Sequence, residues 1–115
     1  MKKDYVPSKG DIVWLDFDPQ LGREQSGLRP ALIISPISYN KKVGLALICP
    51  ITSHEKGYPF EVKIPEKLKI SGVILSDHVK SLDWKARNSK FIDKIPKQVM
   101  EDVIAKISSL IDEDE

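Results

Sequence analysis

Short runs of branched aliphatic residues, each stopped by a proline, leave this chain little choice but a β-fold. Ile12 to Phe17 ends at Asp18-Pro19, Ala31 to Ser35 ends at Pro36, and Val43 to Cys49 ends at Pro50. Branched side chains favour extended backbone, and proline lacks the N–H that a continuing element needs. Within Ile12 to Phe17, Val13, Leu15 and Phe17 alternate with Ile12, Trp14 and Asp16, so both faces start apolar. Lys41-Lys42 form an exposed turn between the second and third runs, which predicts antiparallel pairing. Phe60 to Ile64 alternates apolar and polar residues, as a half-exposed strand does. Gly72 to Ser76 reads as another short buried strand, Val79 to Trp84 as strand or turn, and Phe91 to Lys94 as an edge strand.

Only the end of the chain carries a helical period. Val99, Val103, Ile104, Ile107, Leu110 and Ile111 recur at three- and four-residue steps after Pro96, which suits a first helical position. This helix is expected to close the core. Short strands, turn signals and one closing helix predict a mainly β protein, a small antiparallel barrel.

The 115 residues suit one domain over 1–115, and 41% apolar with 30% charged residues is ordinary for a globular chain. No apolar run approaches the ~20 residues of a membrane span. Met1-Lys2-Lys3-Asp4-Tyr5 lacks the apolar core of a secretory leader, so a cytoplasmic setting is expected. The single cysteine, Cys49, excludes an intrachain disulfide and lies in an apolar run, where a buried inert thiol is expected. A nucleophile formed by Cys49 with His54 or His78 would lack an evident orienting group. One cysteine and two histidines show no metal-ligand spacing, so neither metal nor cofactor is expected.

The net charge of +1 conceals an uneven distribution. Asp112-Glu113-Asp114-Glu115 reads as a frayed acidic tail, and without it 18 basic residues face 13 acidic ones. A modestly basic body is compatible with a phosphate-bearing partner.

One charged stretch runs straight into a strand. Gln20 to Arg29 has no apolar period and reads as a long loop, yet Gly27 and Pro30 restrain its end. Arg29 is thus held extended on a stiff support, with Glu24 five residues upstream. The stretch Pro7 to Pro19, then Glu24-Gln25-Ser26-Gly27-Leu28-Arg29-Pro30-Ala31, resembles the MazF/PemK family of toxin endoribonucleases. Cys49-Pro50-Ile51-Thr52-Ser53, Gly57 to Val62 and Asp77 to Leu82 fit the same family in order and spacing. The likeness runs from about Tyr5 to the terminal helix.

The resemblance implies an SH3-like barrel and a homodimer. It also implies sequence-specific, metal-independent cleavage of single-stranded RNA, leaving 2′,3′-cyclic phosphate and 5′-hydroxyl ends. It further implies a toxin that an acidic, partly disordered antitoxin holds in check. The catalytic pair maps to Arg29 and Thr52. Chemistry agrees with that mapping, because a guanidinium fork fits phosphate oxygens and a hydroxyl adds an adaptable donor. Arginine is an awkward base, so the proton acceptor is left unassigned.

Glu24 matches a functional family position, where it would orient Arg29 or contact RNA; a solvated carboxylate is the ordinary alternative. Gln25, Ser53 and Lys56 are candidate RNA contacts by amide, hydroxyl and ammonium groups. His78 stands where many relatives carry glutamine and is a further candidate contact. Tyr58 is suited to base stacking or to loop packing, whereas Trp14 and Trp84 read as core or interface residues. Two other functions fit a small barrel: a non-catalytic nucleic-acid-binding module, and a gyrase-directed toxin of the CcdB kind.

Overall fold

The computed structural model describes residues 4–17 and 27–112. Its elements run β1 (Asp11–Asp16), β2 (Leu28–Ile33), α1 (Ile37–Val43), β3 (Ala46–Thr52), β4 (Glu61–Lys63), β5 (Val73–Leu75), β6 (Lys80–Leu82), β7 (Lys90–Lys94) and α2 (Lys97–Ile111). Among the described residues, seven antiparallel strands lie in the order β4-β5-β3-β2-β1-β7, with β6 also on β3. The predicted β class and terminal helix are as observed. Among the described residues the path ends at β4 and β7 without closing.

The apolar character of both faces of β1 has a direct cause. Ile12, Leu32, Cys49, Ile51 and Ile74 face α2, where Met100 and Val103 complete the cluster. Val13, Leu15, Phe17, Ala31 and Ile48 face the other way, against Trp84, Tyr5 and Leu82. The sheet is therefore buried on both sides along its middle strands. Along α2, Val99, Ile104 and Ile107 also pack on the core, while Leu110 and Ile111 remain exposed. No described helix is long and apolar enough to cross a membrane.

The structure departs from the sequence reading in three places. First, Pro36 does not merely break a strand, and Lys41-Lys42 are not in a turn: Ile37–Val43 is a helix. Pro36 stands at its N-cap, and Gly44 ends it in the left-handed region at φ 84°, its N–H bonded to the Asn40 carbonyl. Asn40 is fully buried; its amide donates to the Pro7 and Ser35 carbonyls at 2.8 and 3.0 Å. Trp84 Nε1 donates to the Asn40 carbonyl at 2.9 Å, which pins α1 beneath the sheet.

Second, Pro50 does not close β3, which continues to Thr52. The Ile34 N–H donates to the Leu47 carbonyl at 2.9 Å, and the register runs Leu32↔Cys49 and Ala31↔Pro50. Hydrogen-bonding direction alternates along a strand, so Pro50 turns its missing N–H away from β2. On that side β3 pairs with β6 through Ile48 and with β5 from Ile51 onward. Proline fills the gap between two partners, where no donor is required.

Third, β2 begins at Leu28, so Arg29 belongs to the strand and not to the preceding loop. Pairing with β1 sets this boundary: Leu15↔Arg29 and Asp16↔Leu28 are partners, and the Phe17 N–H donates to the Gly27 carbonyl at 2.8 Å. The remainder of the predicted loop, Gln20 to Ser26, lies outside the described residues, as do Glu113 to Glu115 of the acidic tail.

Candidate active site

Strand register brings Arg29 and Thr52 together. The last recorded pair between β2 and β3 is Ala31↔Pro50. Two residues further along the same register, Arg29 would stand opposite Thr52, with both side chains on one face. The intervening step asks Pro30 to donate to Ile51, which proline cannot do. The ladder lapses there and the two strand ends stand over open space. Arg29 and Thr52 both line a cleft of about 330 Å³ on one side and another of about 320 Å³ on the other.

Thr52 is nearly buried, at 9% exposure. Its Oγ1 accepts the His54 backbone N–H at 3.1 Å, so the hydroxyl proton points to a different acceptor. Across β3, Thr52 pairs with Val73 of β5, and Gly72 packs against the Thr52 backbone. A Cβ at Gly72 would lie 2.3 Å from the Thr52 carbonyl oxygen, and Gly72 has φ +128°. Only glycine accepts both conditions. The backbone under Thr52 is therefore set by a contact as well as by the sheet.

The first cleft also receives His54, Lys56, Tyr58, Glu61, Asp77 and His78. Thr52, His54, Lys56 and Tyr58 come to it from one segment, which Glu61 at the start of β4 holds. The Glu61 carboxylate accepts the Lys56 N–H at 3.1 Å and the Gly57 N–H at 2.9 Å. The Lys56 ammonium lies 5.9 Å from the exposed Tyr58 ring, in cation–π range. His78 Nε2 lies 3.7 Å from Asp77 Oδ1 in the same cleft. The second cleft is lined by Trp14, Ser53, Lys69, Ile70 and Ser71.

Of the residues singled out from sequence, Arg29, Thr52, Lys56 and His78 share the first cleft, while Ser53 points into the second. Glu24 and Gln25 lie outside the described residues. Trp84 is core, as expected, but Trp14 is half-buried and reaches the second cleft. Cys49 is fully buried, and its thiol is pushed up to about 12 by burial and then by the Asp77 carboxylate. That thiol is inert at neutral pH, and no Cys/His nucleophile forms. Sequence reasoning did not assign a site role to His54, Glu61, Asp77 or Lys69. The Glu61 clamp depends on a loop doubling back, for which a half-exposed strand pattern holds no signal. Among the described residues no group of three His, Cys, Asp or Glu side chains is placed to hold a metal ion.

A family model described as the PemK-like, MazF-like toxin of type II toxin–antitoxin systems matches residues 8–111. The chain belongs to this family. Among its relatives is the endoribonuclease toxin MazF of Escherichia coli K12, 44% identical over 111 residues, which are 96% of this chain and 99% of that one. The crystal structure of MazF from Deinococcus radiodurans superposes with a TM-score of 0.91 at 51% identity, covering 94% of this chain and 98% of that one. A MazE–MazF complex from the same organism superposes with a TM-score of 0.87, also at 51% identity, covering 94% and 97%. In this family member, then, the lapse of the ladder at Pro30 opens the face on which Arg29 and Thr52 lie.

Proposed function

We propose that this chain is an endoribonuclease toxin that cuts single-stranded RNA at the Arg29–Thr52 pair. The observation that carries this reading is the juxtaposition of a guanidinium and a hydroxyl where the β2–β3 ladder lapses. RNA supplies its own nucleophile, the 2′-hydroxyl. The protein needs to stabilise charge on the phosphorane oxygens and to manage two protons. Arg29 offers a fork for two phosphate oxygens, and Thr52 offers its hydroxyl proton from a backbone anchored by His54 and Gly72. Lys56 and Tyr58 supply a cation and a stacking face for the strand beside the scissile bond, and Ser53 with Lys69 continues the track on the other side. Glu24, Gln25 and His78 belong to the same RNA-contacting set in this reading.

The likeness to an endoribonuclease and to a toxin solved with MazE supports an antitoxin partner, an acidic segment whose carboxylates stand in for phosphates at Arg29 and Lys56. We place the chain in the cytoplasm, where RNA and antitoxin are available, as a homodimer. Sedimentation equilibrium at micromolar concentration should show the dimer; a species of 13.0 kDa alone would count against it. The non-catalytic module and the gyrase-directed toxin are less well supported, because neither accounts for the Arg29–Thr52 pair.

A single deoxyribose separates cleavage from binding. An RNA oligonucleotide cut by the protein is remade with deoxyribose only before the scissile phosphate. Charge and bases are kept, so affinity should fall by a modest factor at most. Cleavage at that bond should stop, while the all-ribose oligonucleotide is still cut in the presence of chelator. Continued cutting of the deoxy bond would mean that water or a protein group is the nucleophile, and the proposed chemistry would be wrong.

A further inference from the structure

We propose that single-stranded RNA runs on from the Arg29–Thr52 pair over Trp14, which stacks a base, to Asn88 and Lys90 beside it. The inference rests on the ribonuclease reading above and extends the bound stretch beyond the nucleotides at the scissile phosphate. It starts from the part of a sheet face that lies beyond α2. The apolar cluster under α2 takes Ile12 from β1 and Leu32 from β2. Trp14 and Pro30 stand two residues further along those strands, paired with each other on the same face, and are not part of that cluster. Trp14 is half-buried, and Leu28, two residues beyond Pro30, is 63% exposed.

Shared walls link four clefts into one path. Arg29 and Thr52 line both clefts already described. Trp14 ends the second of these and begins a third, of about 480 Å³, with Leu28, Asn88 and Lys90. Asn88 and Lys90 in turn line a fourth, of about 630 Å³, with Lys41 and Lys85. From the second cleft onward, the cations among the described residues are Arg29, Lys69, Lys90, Lys85 and Lys41, and the carboxylates are Asp16 and Asp4. Trp14 thus shares one cleft with Lys69 and the next with Lys90. A ring set in a line of cations is how a single strand is held, by base stacking and by phosphate contacts. A protein partner fits less well, because the centres of protein interfaces are poor in lysine.

The far end of the path is a firm support. The Arg87 N–H donates to the Asp83 carbonyl and the Ser89 N–H to the Trp84 carbonyl, each at 3.0 Å, and the Ala86 N–H donates to Asp83 Oδ1 at 2.9 Å. Arg87 ties this turn to the end of β1: its Nη1 donates to the Asp16 carbonyl at 2.9 Å, and the Asp16 N–H donates to the Arg87 carbonyl at 3.0 Å. Asn88 takes the left-handed conformation there, at φ 56°, which asparagine tolerates better than most residues. Its exposed amide offers a donor and an acceptor to a base edge. Lys90 is the β7 partner of Trp14, so ring and ammonium stem rise side by side on one face. A base on the Trp14 ring therefore has its phosphate within reach of Lys90.

The test is the affinity of the full chain for one RNA oligonucleotide that carries deoxyribose before the scissile phosphate, read by tryptophan fluorescence and by anisotropy of an end label at several salt concentrations. It compares wild type with Trp14→Leu, Asn88→Ala and Lys90→Gln. Lys97→Gln on α2 is the control, since its cleft shares no residue with the four. Trp84 is buried and its N–H is bonded to the Asn40 carbonyl, so RNA should quench Trp14, and the quench should vanish in Trp14→Leu. In a series of oligonucleotides each lacking one base, one position outside the pair flanking the scissile phosphate should weaken wild type about tenfold and make no difference to Trp14→Leu. Lys90→Gln should reduce the slope of log affinity against log salt by about 0.7, and Asn88→Ala should weaken binding about fivefold. Lys97→Gln should bind as wild type does. An oligonucleotide trimmed to the nucleotides flanking the scissile phosphate should bind wild type and Trp14→Leu alike.

Asn88 and Lys90 are exposed, so their variants test the path even where Trp14→Leu fails to fold. Wild-type affinity in Asn88→Ala and Lys90→Gln, with no base position coupled to Trp14, would overturn the path; an inactive Arg29→Ala beside them would leave the cleavage site standing. Equal losses of salt slope in Lys90→Gln and Lys97→Gln would mean diffuse attraction and would overturn it as well. A Trp14→Leu chain that binds RNA normally but sediments as the 13.0 kDa species alone would give this surface to a second copy of the chain instead of RNA. Wild-type cleavage by Arg29→Ala would remove the ribonuclease reading itself, a failure that the binding measurements keep apart from that of the path.

Discussion

Substituting alanine at Gly72 should damage the proposed Arg29–Thr52 site through the backbone of Thr52. The added Cβ would meet the Thr52 carbonyl oxygen at 2.3 Å and its carbonyl carbon at 3.0 Å, where ordinary contact begins at 3.4 Å. Opening that contact requires a displacement of about 1 Å in a packed strand pair, which costs about 1–3 kcal/mol. The φ of +128° adds backbone strain of about 1–3 kcal/mol for a residue with a side chain. Together these are ~2–6 kcal/mol, a large share of the ~5–15 kcal/mol that holds a domain of this size. The melting temperature should fall by about 10 °C or more. Because Thr52 moves with the strand, single-turnover cleavage at a temperature where the variant is still folded should fall by about a hundredfold. Gly44→Ala is the control: it also has positive φ, at +84°, but no atom within 4 Å of the added Cβ, and it lies away from the clefts at the end of α1. It should carry the strain cost alone and retain its cleavage rate. If Gly72→Ala melts and cleaves like Gly44→Ala, the contact does not set the position of Thr52 and the reasoning fails.

Two further outcomes are expected. Arg29→Ala should lower cleavage by about a hundredfold or more through lost charge stabilisation, with circular dichroism unchanged; Thr52→Ala should act in the same direction but less severely, since a neutral donor is lost, and wild-type cleavage by Arg29→Ala would end the catalytic assignment. Cys49, held protonated in the fold with its thiol pushed up to about 12 from an ordinary 9.0, should react with iodoacetamide at pH 8 about a thousandfold more slowly than in the denatured chain. The sign of the linked stability follows. The native state resists deprotonation, so this contribution is complete below pH 9 and is lost as pH rises toward 12, by up to about 1.4 kcal/mol per pH unit. Equal labelling of folded and denatured chains would show that the thiol is not enclosed.

Much of the architecture was legible in the amino-acid order because it is written in local chemistry. Branched runs stopped by proline specify short strands, and the three- and four-residue spacing after Pro96 specifies the closing helix. Helix α1 was equally local, bounded by Pro36 and Gly44, but its seven residues present too short a period to outweigh the break that proline suggested. The motif around Arg29 and the Thr52 segment singled out these two residues by family likeness. What the sequence did not contain was the reason the pair meets. That reason is register, the product of pairings between residues far apart in the chain, in which the missing N–H of Pro30 falls where β2 and β3 would otherwise zip together. The same long-range order decides that Pro50 continues a strand, since only the arrangement of β5 and β6 leaves a side of β3 where no donor is needed. It also decides that Glu61 holds a loop, that Gly72 supports Thr52, and that Asp77 and His78 line one cleft with Arg29. Turn residues and periodicity fix a segment's own shape, whereas side-chain neighbours across the cleft exist only once separate segments have packed.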